Sequence, residues 1–192
     1  MSQLPTSDLQ AGKVFAKTDI TTRRTRLREF QAQLVERMQT ARSGEDTRVN
    51  QLGVMIGGSR CLLNLQTAGE IVSVGTVTEV PLTQPWFLGL TNIRGNLISV
   101  IDFAQFQGHA PTPIDKDSRI VAFAPSLSFN SSLLVSRVLG LHNVAEMEAQ
   151  ADVQDESAPW VSKRYLDRES HIWSELDLSL VIQNPQFLHV GL

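Results

Sequence analysis

The residues that could bind a metal ion are few and poorly spaced. His142 and Glu146 are four residues apart, but on an extended strand that separation is roughly 13 Å, too far to share one ion. Asp115 and Asp117 resemble the start of a calcium loop, yet Arg119 stands where a third ligand should be. The sequence therefore predicts no metal and no other cofactor.

Motifs for covalent catalysis are also sparse. The sequence contains no Gly-x-Ser-x-Gly elbow, and residues 57–60 lack the lysine and the spacing of a phosphate-binding loop. Cys61, the single cysteine, lies in an apolar run, as a small core residue would. These features predict that the chain is not an enzyme, with an enzyme of unrecognised type as the alternative.

The strongest remaining candidate is a hairpin with Arg94 at its tip. Two β-prone runs in residues 89–103 flank a polar break at Arg94-Gly95-Asn96, which predicts a tight turn. Asn92 lies close to this turn, and no acidic residue neighbours Arg94 in sequence. Its guanidinium is therefore expected either to contact a partner or to satisfy backbone carbonyls at a junction between subdomains.

Three further residues have more than one interpretation. Glu70 begins a predicted strand and is interpreted either as a solvated acid or as a partner contact. Trp86 and Phe87 follow Pro85, a pattern more typical of a plug in the core than of an exposed anchor.

Composition and charge narrow the function classes. The chain has 192 residues, of which 42% are hydrophobic and 19% charged, as in soluble globular proteins. The net charge of residues 49–192 is about −6 and that of residues 12–48 about +4, so the acidic body argues against nucleic acid. No apolar run reaches the roughly 18 residues of a membrane span, and no signal-peptide pattern begins the chain. With a single cysteine, these features predict a cytosolic protein.

The organisation predicted along the chain changes from helical to β. Residues 1–18 are expected to be a mobile leader, and residues 19–44 an amphipathic helix whose apolar stripe docks on the parent domain or on a partner. Asp177 is expected to cap a short closing helix that ends near Pro185, and residues 185–192 are expected to form a tail. Residues 146–156 are expected to form an acidic loop. The main domain spans 50–184, and its predicted strands are 52–56, 61–65, 70–74, 77–80, 89–93, 97–103, 119–124, 131–135, 138–144 and 171–174.

Short strands separated by turn signals predict an all-β barrel or sandwich. A parallel α/β sheet is not expected, because no helical pattern separates the strands. Composition and periodicity leave open whether such a domain binds a partner protein or, as a small barrel, another ligand.

The hairpin segment resembles the signature of the CheW-like coupling domains. That signature here is Glu70-Ile71, Pro85-Trp-Phe-Leu-Gly-Leu-Thr-Asn-Ile-Arg-Gly95 and Ile98-Ser-Val-Ile-Asp-Phe103, and residues 119–123 and 133–141 are similar to the family's second half. The first helix and the run 173–188 are similar to the type IV pilus branch of the family, the PilI-like proteins. Departures from the family pattern are Ser99, Ser136 and Ala68.

The resemblance implies a fold and a role. It implies two five-stranded SH3-like barrels around a shared core, an N-terminal helix, a short C-terminal helix and no catalytic activity. The implied role is a cytoplasmic adaptor, recruited to receptor arrays at the inner membrane, between the tip of a methyl-accepting chemoreceptor and the regulatory domain of a CheA-type histidine kinase. It would control twitching motility or, alternatively, flagellar chemotaxis. By position, the implied partner-binding residues are Ala68, Glu70, Gly89, Asn92, Arg94 and Gly95.

Overall fold

The computed structural model describes residues 49–150 and 158–192. The predicted leader and first helix, and part of the acidic loop, therefore lie outside the described residues. Within the described residues no helix has the length and apolar composition that crossing a membrane would require.

The described residues form eleven strands and three short α-helices. The strands are β1 (Asn50–Ile56), β2 (Ser59–Asn64), β3 (Ala68–Ser73), β4 (Phe87–Ile93), β5 (Asn96–Asp102), β6 (Arg119–Phe123), β7 (Ser131–Val135), β8 (Arg137–Asn143), β9 (Glu148–Ala149), β10 (Val161–Leu166) and β11 (Ile172–Leu176). The helices are α1 (Phe103–Phe106), α2 (Leu178–Val181) and α3 (Pro185–Leu188).

The first sheet has five strands and carries the Arg94 hairpin. Its order is β3-β6-β7-β5-β4, with β5 and β7 parallel and the other neighbours antiparallel. After β3 the chain returns to the opposite edge, where Thr78 and Leu90 exchange two backbone hydrogen bonds of 2.8 and 2.9 Å. This bridge closes the sheet into a barrel around an apolar interior that includes Val100, Ile120 and Leu134.

The second sheet has six strands in the order β8-β1-β2-β11-β10-β9. Gly57 and Gly58 form the turn between β1 and β2, with φ values of 56° and 82° that glycine adopts without steric cost. Leu62, Tyr165 and Trp173 are buried together on one face of this sheet. The other face packs against the first barrel.

A shared core joins the two sheets. β1 and β2 contribute Val54 and Leu63, whereas β5 and β7 contribute Ile101 and Leu133, and all four side chains are at most 2% exposed. Asp177 caps α2 by accepting a hydrogen bond of 2.8 Å from the Ser179 amide, as predicted, and α2 buries Leu178 and Val181 in this core. The core therefore fixes the two barrels against each other.

The predicted all-β fold of two barrels is confirmed, with local corrections. Residues 77–80 form no strand: only Thr78 makes an isolated bridge. β10 was not predicted, because its sequence Val-Ser-Lys-Arg-Tyr-Leu carries two adjacent basic residues and only one buried residue, Tyr165. β9 is the sixth strand of its sheet and lies within the stretch expected to be an acidic loop. Each sheet also contains one parallel pairing.

Candidate partner-binding site

Arg94 lies at the first position of a two-residue turn between β4 and β5. Ile93 pairs with Asn96, and Arg94 and Gly95 have φ values of 50° and 89°, the left-handed geometry that the strand twist favours in hairpins. The Asn92 Oδ1 accepts a hydrogen bond of 2.8 Å from the Gly95 amide and braces the turn. A side chain at such a φ costs roughly 1–2 kcal/mol, which glycine avoids. Strain of this kind clusters at functional sites, so the turn points to a role for the arginine side chain.

The partner of the Arg94 guanidinium is a carboxylate from another strand. Arg94 Nε lies 3.0 Å from Glu70 Oε2, and the two side chains are 79% and 43% exposed. This contact replaces the backbone carbonyls that one interpretation of the sequence assigned to Arg94. Exposed ion pairs contribute about 0–1 kcal/mol to stability. The pair therefore orients both side chains, and separating them costs little free energy.

Ala68 and Gly89 are the two buried residues among the candidate partner-binding residues. Ala68 is 7% exposed and packs in the shared core. Gly89 has a φ of 131°, and a Cβ there would overlap the carbonyl oxygen of Thr78, the group that closes the barrel. Both residues are therefore placed to support the hairpin and the start of β3, whereas Glu70, Asn92, Arg94 and Gly95 are exposed around it.

A groove of about 440 Å³ opens beside the ion pair. Its floor is apolar and comes from both the barrel interior, through Ile93 and Ile98, and the shared core, through Phe123 and Phe129. Its rim is polar and consists of Glu70, Arg94, Asn96, Ser128 and Asn130. We call this feature the Arg94 groove. An apolar floor with a charged rim is the arrangement of a protein-binding groove.

Sequence reasoning missed one wall of the Arg94 groove. Residues 128–130 join a 3₁₀ turn to β7, and Ser128 has a positive φ of 50°. These residues lie more than thirty positions after Arg94, and their composition gave no signal of a site. The parallel pairing of β5 with β7 brings them beside the hairpin, since Ser99 pairs with Ser131.

The other candidate chemistries have structural explanations. The Cys61 thiol is buried, and burial raises its pKa to about 12, which leaves it a poor nucleophile. Asp115 Oδ1 accepts hydrogen bonds from the amides of Asp117 and Ser118 and so stabilises the end of the loop that precedes β6. The imidazole of His142 packs on the indole of Trp173 with ring centroids 4.3 Å apart. No group of three or more potential ligands for a metal occurs in the part of the chain that the structure describes.

Comparisons with known proteins agree with this fold. A family model described as the CheW-like domain matches residues 51–186. Protein PilI of Pseudomonas aeruginosa is 26% identical over 92 residues, 48% of this chain and 51% of that protein, so the match spans about half of that relative's length. The crystal structure of scaffolding protein TtCheW from Thermoanaerobacter tengcongensis shares the fold, with a TM-score of 0.60, 20% identity, and coverage of 71% of this chain and 89% of that one.

The family match covers the structural core as well as the site. It includes both barrels, the Glu70–Arg94 pair and every residue of the Arg94 groove. The resemblance inferred from the hairpin motif is thereby confirmed. This chain belongs to the CheW-like domain family.

Proposed function

We propose that this protein is a non-enzymatic adaptor that couples a methyl-accepting chemoreceptor to a CheA-type histidine kinase in the chemosensory system of type IV pili. The observation that carries this proposal is the Arg94 groove with its exposed Glu70–Arg94 pair. The family membership and the similarity to Protein PilI support it. The adaptor would act in the cytoplasm, recruited to receptor arrays, with no affinity for nucleic acid.

The Arg94 groove suits one segment of a protein partner. Apolar side chains of a helical hairpin would cover Phe123 and Phe129 on its floor, and a polar group of the partner would bond to Arg94 or Glu70 at its rim. Because the internal ion pair is exposed, exchanging one of its partners costs little. Arginine suits this exchange because its guanidinium offers several donors in a fixed plane.

Coupling by such an adaptor is a matter of unequal affinities. The adaptor transmits a signal only if it binds the active and inactive states of receptor or kinase with different free energies. Residues such as Ala68, Gly89 and Asn92 would contribute by holding the rim and floor in place, and Glu70, Arg94 and Gly95 by contacting the partner.

Co-purification with the kinase regulatory domain and with the receptor tip tests the proposal. The Arg94→Glu variant places two carboxylates together and should lower the affinity for at least one partner tenfold or more while the melting temperature stays close to that of the wild type. Arg168→Glu is the matched control, because Arg168 also pairs with a glutamate, Glu146, at 3.2 Å, with side chains 81% and 59% exposed.

Two results would contradict the proposal. Neither partner binding the wild-type protein would reject the adaptor role, and equal binding by the Arg94→Glu and Arg168→Glu variants would reject the role of the Arg94 groove. Gene deletion separates the pathways: loss of twitching with normal swimming supports the pilus system, and the reverse supports flagellar chemotaxis.

A further inference from the structure

A cavity of about 410 Å³ opens at one end of the second barrel and shares no lining residue with the Arg94 groove. Its walls come from the first residue of β1, the end of β8, the 3₁₀ turn at 144–146 and the turn between β10 and β11. We call it the barrel-end cavity. The mouth of a β-barrel is a common place for a small-molecule site, and this volume lies in the range of such sites.

Two buried polar atoms at this end of the barrel have no hydrogen-bond partner among the described residues. They are Oε1 of Gln51, a residue only 2% exposed, and Nε2 of His142, whose ring lines the cavity. Gln51 and His142 lie directly opposite each other on β1 and β8, so the Gln51 amide faces the cavity together with the His142 ring. Buried polar atoms in native proteins are nearly always satisfied, so these two indicate a bound group that donates hydrogen bonds.

The fold itself sets the position of the His142 ring. The ring packs on the Trp173 indole, with centroids 4.3 Å apart, and lies over Gly53, where a Cβ would overlap it. The indole N–H of Trp173 donates at 2.9 Å to Asp167 Oδ2. The neighbours of His142 therefore hold its ring in place and leave Nε2 to a group from outside the chain.

The walls of the barrel-end cavity carry an excess of negative charge. Among the described residues they hold three carboxylates, of Glu146, Asp167 and Glu169, against one guanidinium, that of Arg168, which pairs with Glu146 at 3.2 Å. Asp167 accepts hydrogen bonds at both oxygens, and these bonds, led by the one from an indole N–H, hold its pKa below the usual range, so it stays ionised. The Glu169 side chain is 81% exposed, with the His171 ring 3.5 Å from its Oε2, so it is accessible to a ligand.

We propose that the barrel-end cavity binds a small organic cation with several N–H donors, of the guanidinium or alkylammonium class. Its donors would satisfy Gln51 Oε1 and His142 Nε2, and the carboxylates of Asp167 and Glu169 would balance its charge. The walls would repel an anion, and an apolar ligand would leave the two buried atoms unpaired. The inference concerns the protein alone and does not rest on the proposed adaptor function.

Titration of the full-length, isotopically labelled protein with agmatine at constant ionic strength tests the proposal. Agmatine carries one guanidinium and one ammonium group, and it should produce saturable shifts of the Gln51 side-chain amide and His142 imidazole signals in nuclear magnetic resonance spectra. Tetramethylammonium, a cation without N–H donors, is the ligand control. It should bind at least tenfold more weakly, because it leaves the buried acceptors unpaired.

Two variants separate the hydrogen bonds from the charge. Gln51→Leu removes the buried acceptor at similar side-chain volume, so it should keep or raise the melting temperature and weaken agmatine binding at least tenfold. Glu169→Gln removes one exposed carboxylate and should weaken agmatine binding by a smaller factor, because exposed charges interact weakly. Glu79→Gln is the matched control, since Glu79 is an exposed glutamate outside the second barrel, and it should bind agmatine as the wild type does.

Four results would overturn the proposal. An absence of saturable shifts with agmatine would show that water alone satisfies the two buried atoms. Equal affinities for agmatine and tetramethylammonium, or equal agmatine affinities of Gln51→Leu and the wild type, would show that only the charge of the walls attracts cations. Tighter binding of N-acetyl-arginine methylamide than of agmatine would assign the cavity to an arginine side chain of a protein instead of a small molecule.

Discussion

The two barrels each contain a two-residue hairpin turn of the same geometry, built from different residues. In the second barrel Gly57 and Gly58 have φ values of 56° and 82°, and in the first barrel Arg94 and Gly95 have values of 50° and 89°. The fold therefore requires only a positive φ at the first position, which glycine satisfies at the lower cost. The arginine is explained by its side chain and not by the turn.

The barrels also use charge differently. In the second barrel, the Asp167 carboxylate accepts a hydrogen bond of 2.9 Å from the Trp173 indole and two more from the amides of Glu169 and His171. Those bonds, led by the indole, lower the pKa of Asp167 below its usual range. In the first barrel, the Glu70–Arg94 pair is exposed at the edge of a groove. Charge stabilises a turn in one barrel and lies exposed at the rim of a groove in the other.

The largest expected effect concerns the support of the Arg94 hairpin. Gly89→Ala should lower the free energy of unfolding by about 3 kcal/mol or more, because its Cβ would overlap the Thr78 carbonyl and its φ of 131° suits only glycine. Gly58→Ala in the other barrel is the control and should cost only about 1 kcal/mol, since a Cβ there meets open space. Urea denaturation measures the free energy of unfolding of each variant, and equal losses in the two variants would contradict the assigned role of Gly89.

An intermediate and pH-dependent effect is expected in the second barrel. The pKa of Asp167 is lower in the folded than in the unfolded protein, so its contribution to stability is present above the unfolded value of about 3.9 and decreases as the pH falls through the folded value. Asp167→Asn should therefore lower the melting temperature at pH 7, with the difference from the wild type narrowing below pH 4. A difference that stays constant between pH 7 and pH 3 would contradict the hydrogen-bonded carboxylate.

The smallest expected change in stability tests the comparison most directly. Arg94→Gly gives the Arg94-Gly95 turn the same two central residues as the Gly57-Gly58 turn. The substitution should raise the free energy of unfolding by about 0.5–1 kcal/mol, because it relieves backbone strain. The same variant should bind a partner at least tenfold more weakly, as measured by titration calorimetry with the kinase domain and the receptor tip. A variant that is more stable and binds normally would show that the arginine is dispensable.

Much of the fold was predictable because its signals are local. The glycine pair at 57–58 and the Arg94-Gly95 turn each lie between alternating apolar runs, and both hairpins formed where predicted. Asp177 capped its helix for the same reason, since a cap depends on neighbours two or three residues away. β10 escaped prediction because the burial of Tyr165 depends on its packing with Trp173 of β11 and with Leu62 of the distant strand β2.

The candidate site also has features set by local sequence and features set by contacts between distant segments. The sequence by itself determined the turn, its arginine and the family motif, because residues 85–103 are contiguous and their spacing suffices. Only the tertiary structure decided that Glu70 meets Arg94, that residues 128–130 wall the groove, and that residues 80–88 and 183–192 lie side by side. These contacts join segments separated by 24 to about 100 residues, and such pairings depend on barrel closure and on strand order, which local composition does not encode.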